Sequence, residues 1–380
     1  MTAPDEKGGH LITLLSKHDP AAALGEGWTR DYGRLDPADA DRATLVYVRG
    51  SDVPVRVDIS RSEDQPHARR IGPGLWATFN PATKDPRLPG LIPALARVEA
   101  PAIVRYRPDK RCTFSGAGDD GRKVFVKSFA DERAEDLWRD ALSLADAADR
   151  GAFGFEIAAP VWFDPGANAL ALAALNGVNA APLLRGNDGE THAISIARAL
   201  ATILLSGVVT RAAFDAADQL ARTRKYAKRF KKCAPQLSPT IERFLHTLDG
   251  DDLHNNQAPE LLPVHGAPHP QQWLIDGDRL GLVDFDRFGL GHVELDAATF
   301  VAELDFENMP ATRRNNIGAA FVDEYKRHLN AFDDRVFMIF RAHKHFAKAF
   351  KTAIAIRPDR IDRAEAILAG AQELLDGERS

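Results

Sequence analysis

The spacing of the apolar residues changes once along this chain, near Asn176-Gly177, and that change limits the folds it can adopt. Before this point the apolar residues form short β-branched runs such as 124–129, which are typical of strands. After it they recur every three or four residues, as in 336–354, which predicts helices. The order predicts an α+β chain in two lobes, a small β-rich lobe followed by a larger helical lobe.

The chain has 380 residues, which is more than a single pair of such lobes requires. We divide it into an N-terminal extension, a β-rich lobe, and a helical lobe that carries the loops with chemistry: 1–100, 101–176 and 177–380. In the extension we expect loose order up to about residue 26. A β-hairpin is predicted at 44–59, and the proline- and glycine-rich stretch 64–90 is predicted to be irregular.

Composition excludes several classes of function. Hydrophobic residues make up 44% and charged residues 27%, as in soluble globular proteins, and a formal charge of −5 gives no reason to expect DNA as a partner. Two cysteines, Cys112 and Cys233, cannot build a disulfide framework or a cysteine zinc site. No apolar run reaches the roughly 18 residues of a membrane span, and the first residues do not resemble a secretory signal. We therefore expect a cytoplasmic protein without a membrane partner.

One segment, 264–286, carries side chains suited to cation binding. Two short apolar runs predict a hairpin with its turn at 276–278. The hairpin holds its two flanking loops side by side, so Gln272 in the first loop faces Asp284 in the second. An amide oxygen and a carboxylate are hard ligands suited to Mg²⁺. The pattern predicts a magnesium site at Gln272 and Asp284, although both residues are also common in turns.

The same segment resembles the catalytic and metal-binding loops of the aminoglycoside phosphotransferase and choline kinase-like family, which has a protein-kinase-like fold. The family reads HGDxHxxN, then a hairpin and an Asp-Phe or Asp-Trp pair. His265 and Gly266 match its first positions, while Gln272 and Asp284 match its metal ligands. Where the family has its proton-accepting aspartate, this chain has Ala267. The resemblance implies ATP and Mg²⁺ as ligands and the loss of the catalytic base.

The resemblance extends over 101–305 and assigns further residues to the nucleotide. Lys127 matches the strand lysine that holds the α and β phosphates of ATP. A lysine buried in a strand needs a partner, for which Glu135, or Glu132, on the following helix is our candidate. Asn176 ends the segment that resembles the hinge against which adenine stacks.

Other titratable residues of the motif have more than one interpretation. His265 is expected to brace the loop, whereas His269 either packs in the loop or contacts a substrate. Asp286 is expected to form hydrogen bonds, and Asp286 or His269 is a candidate for a substitute base. The resemblance implies that Asp296 caps the next helix. The basic stretch 105–111 takes the place of a glycine-rich phosphate loop and would grip phosphate through side-chain charge.

Two basic runs in the second half are expected to be solvated helix faces: 222–232, and the stripe Arg341, Lys344, His345, Lys348 and Lys351. For 222–232 an anionic partner is the alternative. Carboxylates near the expected acceptor pocket would suit a cationic acceptor if they face it; these are Asp296, Glu303, Asp305 and Glu307.

Three functions are consistent with these features. The first is a phosphotransferase-family protein that binds ATP and Mg²⁺ but transfers poorly, because Ala267 cannot accept a proton. The alternative is an active ATP-dependent kinase for a small-molecule hydroxyl, working with a substitute base. The third is an interaction module that uses the extension or the 222–232 face to bind a protein partner.

Overall fold

The computed structural model describes residues 9–210, 212–250, 253 and 260–377. Its N-terminal part contains antiparallel sheets and its C-terminal part is mainly helical, so the predicted α+β class is confirmed. The elements before the first long C-terminal helix are α1 Gly9–Lys17, α2 Ala21–Leu24, β1 Thr29–Leu35, β2 Arg42–Val48, β3 Val55–Ser60, β4 Arg69–Gly72, β5 Leu75–Pro81, α3 Leu91–Leu95, β6 Glu99–Arg107, β7 Arg111–Ala117, β8 Lys123–Phe129, α4 Ala134–Asp149, β9 Glu156–Ile157, β10 Pro160–Asp164, β11 Ala169–Ala173, β12 Val178–Asn179 and α5 Ala180–Leu184.

The N-terminal extension contains an antiparallel sheet with the strand order β1-β2-β3-β5-β4. The predicted hairpin corresponds to β2 and β3. Because side chains alternate along a strand, β2 is buried on both faces. Leu45 and Tyr47 pack in the core of the extension, while Val46 packs with Phe114 and Val126 of the next sheet. The extension is therefore joined to its neighbour by a shared apolar core.

Two expectations for the extension are wrong. Residues from 9 onward are not loosely ordered, because α1 buries Leu11, Ile12 and Leu15, which lie on one face of a helix, against the sheet. The stretch 64–90 is not irregular throughout, because β4 and β5 pair across the Pro73-Gly74 turn. Residues 1–8 lie outside the described residues.

The second sheet has the order β10-β11-β8-β7-β6, and β8 lies in its middle. β6 begins at Glu99, two residues before our boundary. Lys127 on β8 is opposite Thr113 on β7, so Arg111, two residues before Thr113, lies on the same face as Lys127. This face looks toward the helical part of the chain, as the ion pairs below show.

The helical part contains the remaining elements: α6 Gly189–Leu204, β13 Ala213–Phe214, α7 Ala216–Cys233, α8 Ser238–Asp249, β14 Leu262–Val264, β15 Trp273–Asp276, β16 Arg279–Leu282, β17 Gly289–Gly291, α9 Glu294–Leu304, α10 Ala311–Lys326, α11 Asp334–Ala353 and α12 Arg360–Asp376. β15 and β16 form the predicted hairpin, with Asp276 opposite Arg279. The long helix α11 packs against α7, α9 and α12. Among the described residues, no helix is long and apolar enough to cross a membrane.

The extension also contacts the far end of α11. The backbone N–H of Leu35 donates to the carbonyl of Ile354 at 2.8 Å, and Arg34 forms a β-bridge with Ala355. On its other side, the Arg56 guanidinium pairs with Asp109 in the β6–β7 turn at 2.6 Å. The extension thus connects the second sheet with the helical part.

Candidate functional site

The centre of the site is an ion pair between the second sheet and the loop after the β15–β16 hairpin. The Lys127 ammonium donates to Asp284 at 2.5 Å and to Asp286 at 2.5 Å. Burial disfavours the charged lysine, but Asp286 and Asp284 outweigh that effect and raise the pKa of Lys127. The lysine and the aspartate that the sequence assigned to one nucleotide site are therefore in direct contact, although they are 157 residues apart.

Arg111 completes this cluster from the neighbouring strand. Its guanidinium pairs with Asp286 and lies 3.9 Å from Asp284. Burial opposes ionisation of Asp284, yet Lys127 and Arg111 lower its pKa below the usual range. Asp284 also has a left-handed backbone with φ of 70°, which aspartate tolerates better than most residues. Two cations thus balance two carboxylates in a closed network.

The loop that contains Ala267 is held by a buried carboxylate. Asp296 accepts the backbone N–H groups of His265 at 2.7 Å and Gly266 at 2.8 Å. The expected helix-cap role of Asp296 is wrong, since α9 has no side-chain cap and this carboxylate reaches back to the loop. Burial raises the pKa of Asp296 to about 6, although the two N–H donors oppose the rise. Asp296 fixes the loop rather than its own helix.

His265 braces the same loop from inside. Its Nε2–H donates to the carbonyl of Val283 at 3.2 Å, and its Nδ1 accepts the N–H of Ala267 at 3.3 Å. Burial lowers the pKa of His265 to about 4, so the ring is neutral near pH 7. Ala267 is buried, with 7% of its surface exposed, at the position where the resemblance implies an aspartate.

Gln272 lies next to Asp284 but offers it a donor. The amide nitrogen of Gln272 donates to Asp284 at 3.2 Å, because its oxygen already accepts the backbone N–H of His269 at 2.8 Å. A backbone N–H can only donate, so the amide oxygen must face it. To coordinate a cation, Gln272 would have to release His269 and turn its amide.

The carboxylates suit Mg²⁺ better than the amide does. No cluster of three or more histidine, cysteine, aspartate or glutamate residues arranged for a metal occurs among the described residues. Magnesium bound with a nucleotide needs only one or two carboxylates, with phosphates and water as its other ligands. Asp284 and Asp286 supply such hard oxygen donors side by side.

His269 lies on the other side of Ala267, near α9. Its Nδ1 is 3.4 Å from a carboxylate oxygen of Glu303, without hydrogen-bond geometry. Burial lowers the pKa of His269; Glu303 opposes this, while Lys344, Lys351 and Arg287 reinforce it. The imidazole is therefore neutral near pH 7 and can accept a proton.

Two assigned residues form no hydrogen bond or ion pair with this cluster. Glu135 is exposed on α4 and pairs with Arg139, so it does not supply the partner of Lys127. That partner comes from Asp284 and Asp286, which face Lys127 across the cleft. Asn176 is exposed in the connection between β11 and β12, followed by Gly177 with φ of 115°. Sequence reasoning placed Arg111 only within a basic stretch and did not pair it with Asp286.

The stripe along α11 is not the solvated face that we expected, since Lys351 alone of its five residues is exposed. Arg341 and His345 both bind Asp305 at 2.8 Å, and His345 is buried. Lys344 is half-buried where α11 meets the loop of Ala267 and His269, which corresponds to the catalytic loop of the family that the chain resembles. Burial, reinforced by Arg287 and Arg222, lowers the pKa of Lys344 from its ordinary 10.5 to about 7. These positions face the cleft because α9 and α7 pack against this side of α11.

Replacing Lys344 with methionine is expected to raise Tm at about pH 6, since the folded wild type must there hold a charge that its surroundings disfavour. The destabilisation by this lysine should disappear as the pH rises from about 7 to about 10.5, its folded and unfolded pKa values. The advantage of the variant should therefore shrink across that range. Melting curves of both proteins at several pH values measure the effect. Lys228→Met, an exposed lysine on α7, is the control, and a lower Tm for Lys344→Met at about pH 6 would contradict the prediction.

Several solved structures are similar to this chain. The streptomycin–ATP–APH(2")-IIa ternary complex is 11% identical and aligns over 77% of this chain and 98% of its own, with a TM-score of 0.50. Choline kinase from Cryptosporidium parvum Iowa II is 10% identical over 74% and 90%, with a TM-score of 0.50. A glucosamine kinase in complex with glucosamine, ADP and inorganic phosphate is 17% identical over 99% of both chains, with a TM-score of 0.48. No curated protein matches the chain.

The fold is that of the protein-kinase-like phosphotransferases. The sequence profile described as "Phosphotransferase enzyme family" matches residues 115–338, more than half of the chain. The chain therefore belongs to the phosphotransferase enzyme family.

Proposed function

We propose that this protein binds ATP with Mg²⁺ between its lobes and that phosphoryl transfer from this site is impaired. The observation that carries the proposal is the 2.5 Å contact between Lys127 on β8 and Asp284 after the hairpin. The family resemblance assigns the phosphates to the first residue and the cation to the second. The APH(2")-IIa complex, which has a similar fold, contains ATP, in agreement with this assignment.

The charged network must rearrange when the nucleotide binds. When bound, ATP supplies the phosphoryl group and Mg²⁺ neutralises its phosphate charge. Lys127 would then hold phosphate oxygens in place of a carboxylate, and Asp284 would hold the cation. Arg111 keeps its contact with Asp286, and Gln272 holds the second oxygen of Asp284 through its amide nitrogen.

Transfer is impaired in this proposal because no carboxylate stands at position 267. The methyl group of Ala267 cannot take a proton from an acceptor hydroxyl. A positioned base contributes about 10²–10⁴-fold to such reactions, so its loss leaves slow chemistry and intact binding. Binding itself depends on Lys127, Arg111 and the two aspartates, which are all present.

One observation favours an active kinase as the second candidate. His269 is two residues beyond Ala267, has a lowered pKa, and lies 3.4 Å from Glu303. A carboxylate beside a neutral imidazole can orient the ring and stabilise its protonated form. In this alternative His269 replaces the missing aspartate as the base for a small-molecule hydroxyl.

Replacing Lys127 with methionine is expected to weaken ATP binding by about 10–100-fold, the loss of one or two charge-assisted hydrogen bonds to phosphate. Isothermal titration calorimetry with ATP and Mg²⁺ on wild type and variant measures the change. Lys123→Met is the matched control, because Lys123 lies on the same strand but is exposed. Its affinity should equal that of the wild type.

Two outcomes would contradict the proposal. The first is equal affinity of wild type and Lys127→Met, and the second is no ATP binding by the wild type at about 5 mM, weaker than most nucleotide sites. Melting curves identify a variant that has failed to fold, since loss of Lys127 leaves Asp284 and Asp286 with Arg111 alone.

A further inference from the structure

A basic surface lies directly beside the catalytic loop. Glu303 connects the two, because one of its oxygens is 3.4 Å from His269 and the other is 3.9 Å from Lys348 on α11. Lys344, Lys348 and Lys351 are spaced by four and three residues, so they share one face of α11. Arg287 approaches from the other side, since its backbone packs against Gly266 in the loop.

Three cations of this surface are not neutralised by contacts within the protein. The side chains of Arg287, Lys344 and Lys351 form no hydrogen bond or ion pair with any residue in the described part of the chain. Arg287 and Lys351 are exposed, so an incoming molecule can reach them. Each lowers the pKa of Lys344, which shows that the three charges lie near one another.

The carboxylates that would suit a cationic acceptor are already engaged. Asp296 holds two backbone N–H groups, and Asp305 holds Arg341 and His345. Glu307 accepts from Arg185 and from Gln271, each at 2.7 Å. Glu303 lies between His269 and Lys348. The surface therefore carries an excess of positive charge where the acceptor should sit.

We infer that this surface, formed by Arg287, Lys344 and Lys351, binds a small molecule that carries a phosphate or carboxylate group. A guanidinium offers two parallel donors that match either anion, and the lysines add charge. That the anion belongs to the acceptor rests on the function proposed above; the binding site itself does not. The acceptor would then be an anion, and not the cation that the sequence analysis considered.

The second sheet adds to the positive electrostatic potential at this surface. Burial lowers the pKa of Lys351 and Arg107 on β6 reinforces this effect, although Glu303 opposes it, so one more basic group lies within electrostatic range of this surface. Keeping these cations together is electrostatically costly without a bound anion. Bound phosphate or carboxylate removes this cost.

The test uses four probes of similar size that differ in charge: glucose 6-phosphate, gluconate, glucose and glucosamine. Calorimetry with the full chain is expected to give the tightest binding for glucose 6-phosphate, weaker binding for gluconate, and none for the other two. The order of the first two separates phosphate from carboxylate as the preferred group. Arg287→Gln and Lys344→Gln should each raise the Kd for the best probe at least about 10-fold, the loss of one charged contact.

Lys228→Gln is the matched control, because it removes the same charge from an exposed position of α7. It should leave the Kd unchanged. The inference is overturned if glucosamine binds better than both anions, if neither anion binds at about 10 mM, or if Arg287→Gln and Lys344→Gln bind as the wild type does. ATP titrations of the same variants separate the two proposals: ATP binding without anion binding refutes only this inference, and the reverse refutes only the nucleotide site.

Proton uptake on anion binding distinguishes a Lys344 that contacts the anion from one that has only a structural role. Four charged groups surround Lys344: Arg287 in the loop after β16, Arg222 on α7, Asp296 on α9 and Lys351 on α11 itself. An anion at this position favours the charged lysine, so binding at about pH 8 should take up protons. Calorimetry in two buffers of different ionisation enthalpy measures the uptake. Lys344→Gln should abolish it, and uptake that persists in this variant would overturn the assignment.

Discussion

Replacing Ala267 with aspartate is expected to raise the rate of ATP turnover by about 10²–10⁴-fold, the usual contribution of a positioned general base. The loop around this position is retained, because Asp296 and His265 still fix its backbone. The new carboxylate is added to a site whose lysine and aspartates are in place. Release of ADP, with water as the acceptor, measures the gain without knowledge of the natural acceptor.

Ala267→Asn is the control for this gain, since it has the same shape and cannot act as a base. Both variants should bind ATP as the wild type does, which shows that the larger side chain is accommodated. Equal turnover by the aspartate and asparagine variants would contradict the prediction. Wild-type turnover of about 1–100 s⁻¹, typical of kinases, would instead favour the active enzyme with His269 as its base. In that case His269→Gln should remove the activity.

Replacing Gly266 with alanine is expected to lower the free energy of unfolding by about 2–5 kcal/mol, the sum of a left-handed backbone cost and an overpacking cost. Gly266 has φ of 78°, and an added Cβ would lie 2.2 Å from the carbonyl oxygen of Arg287. Because that neighbour is backbone, it cannot swing aside as a flexible side chain can. Urea unfolding of wild type and variant measures the loss.

Gly277→Ala separates the two costs. Gly277, in the turn of the adjacent hairpin, has φ of 61° and nothing within 4 Å of an added Cβ. It should therefore lose only the backbone part, about 1–2 kcal/mol. Similar losses for the two variants would show that Gly266 tolerates a side chain and that the close packing of Arg287 on the catalytic loop is not rigid.

The order of motifs could be read from the sequence because each is local. Lys127 lies in a continuous run of strand-forming residues. Gln272 and Asp284 flank a hairpin whose turn, at 276–278, can be recognised from the sequence. These local patterns do not show that Lys127 and Asp284 lie close together. That prediction comes from the fold of the family, in which the two segments are in contact. The resemblance thus predicted the Lys127–Asp284 neighbourhood that local pattern alone could not.

The partners that were misassigned depend on long-range geometry. Glu135 follows Lys127 closely in sequence, on the next helix, whereas the real partners of Lys127 are 157 and 159 residues away. Strand alternation gives the face of Lys127 but not what stands opposite it. Asp296 lies in the first turn of a helix, where an acid favours a cap interpretation; only the packing of α9 under the loop shows its other role.

The α11 stripe was misread for a related reason. Basic residues at helical spacing usually face water, and nothing in the sequence shows that α7 and α9 fold over that side. In the extension, α1 was missed because four apolar residues in nine are too few to establish a period.

The bonds between the extension and the end of α11 have a mechanical consequence. The second sheet is linked to the helical part through the segment around Gly177 and through the pairing of β9 with β16, and the extension provides another link through Leu35 and Ile354. A body joined at several separate points cannot swing open about one of them while the others stay intact. Widening of the gap between the halves must therefore bend the sheet of the extension or break its link to Ile354, so admission of a large molecule would be coupled to deformation at a contact that includes neither Lys127 nor Asp284.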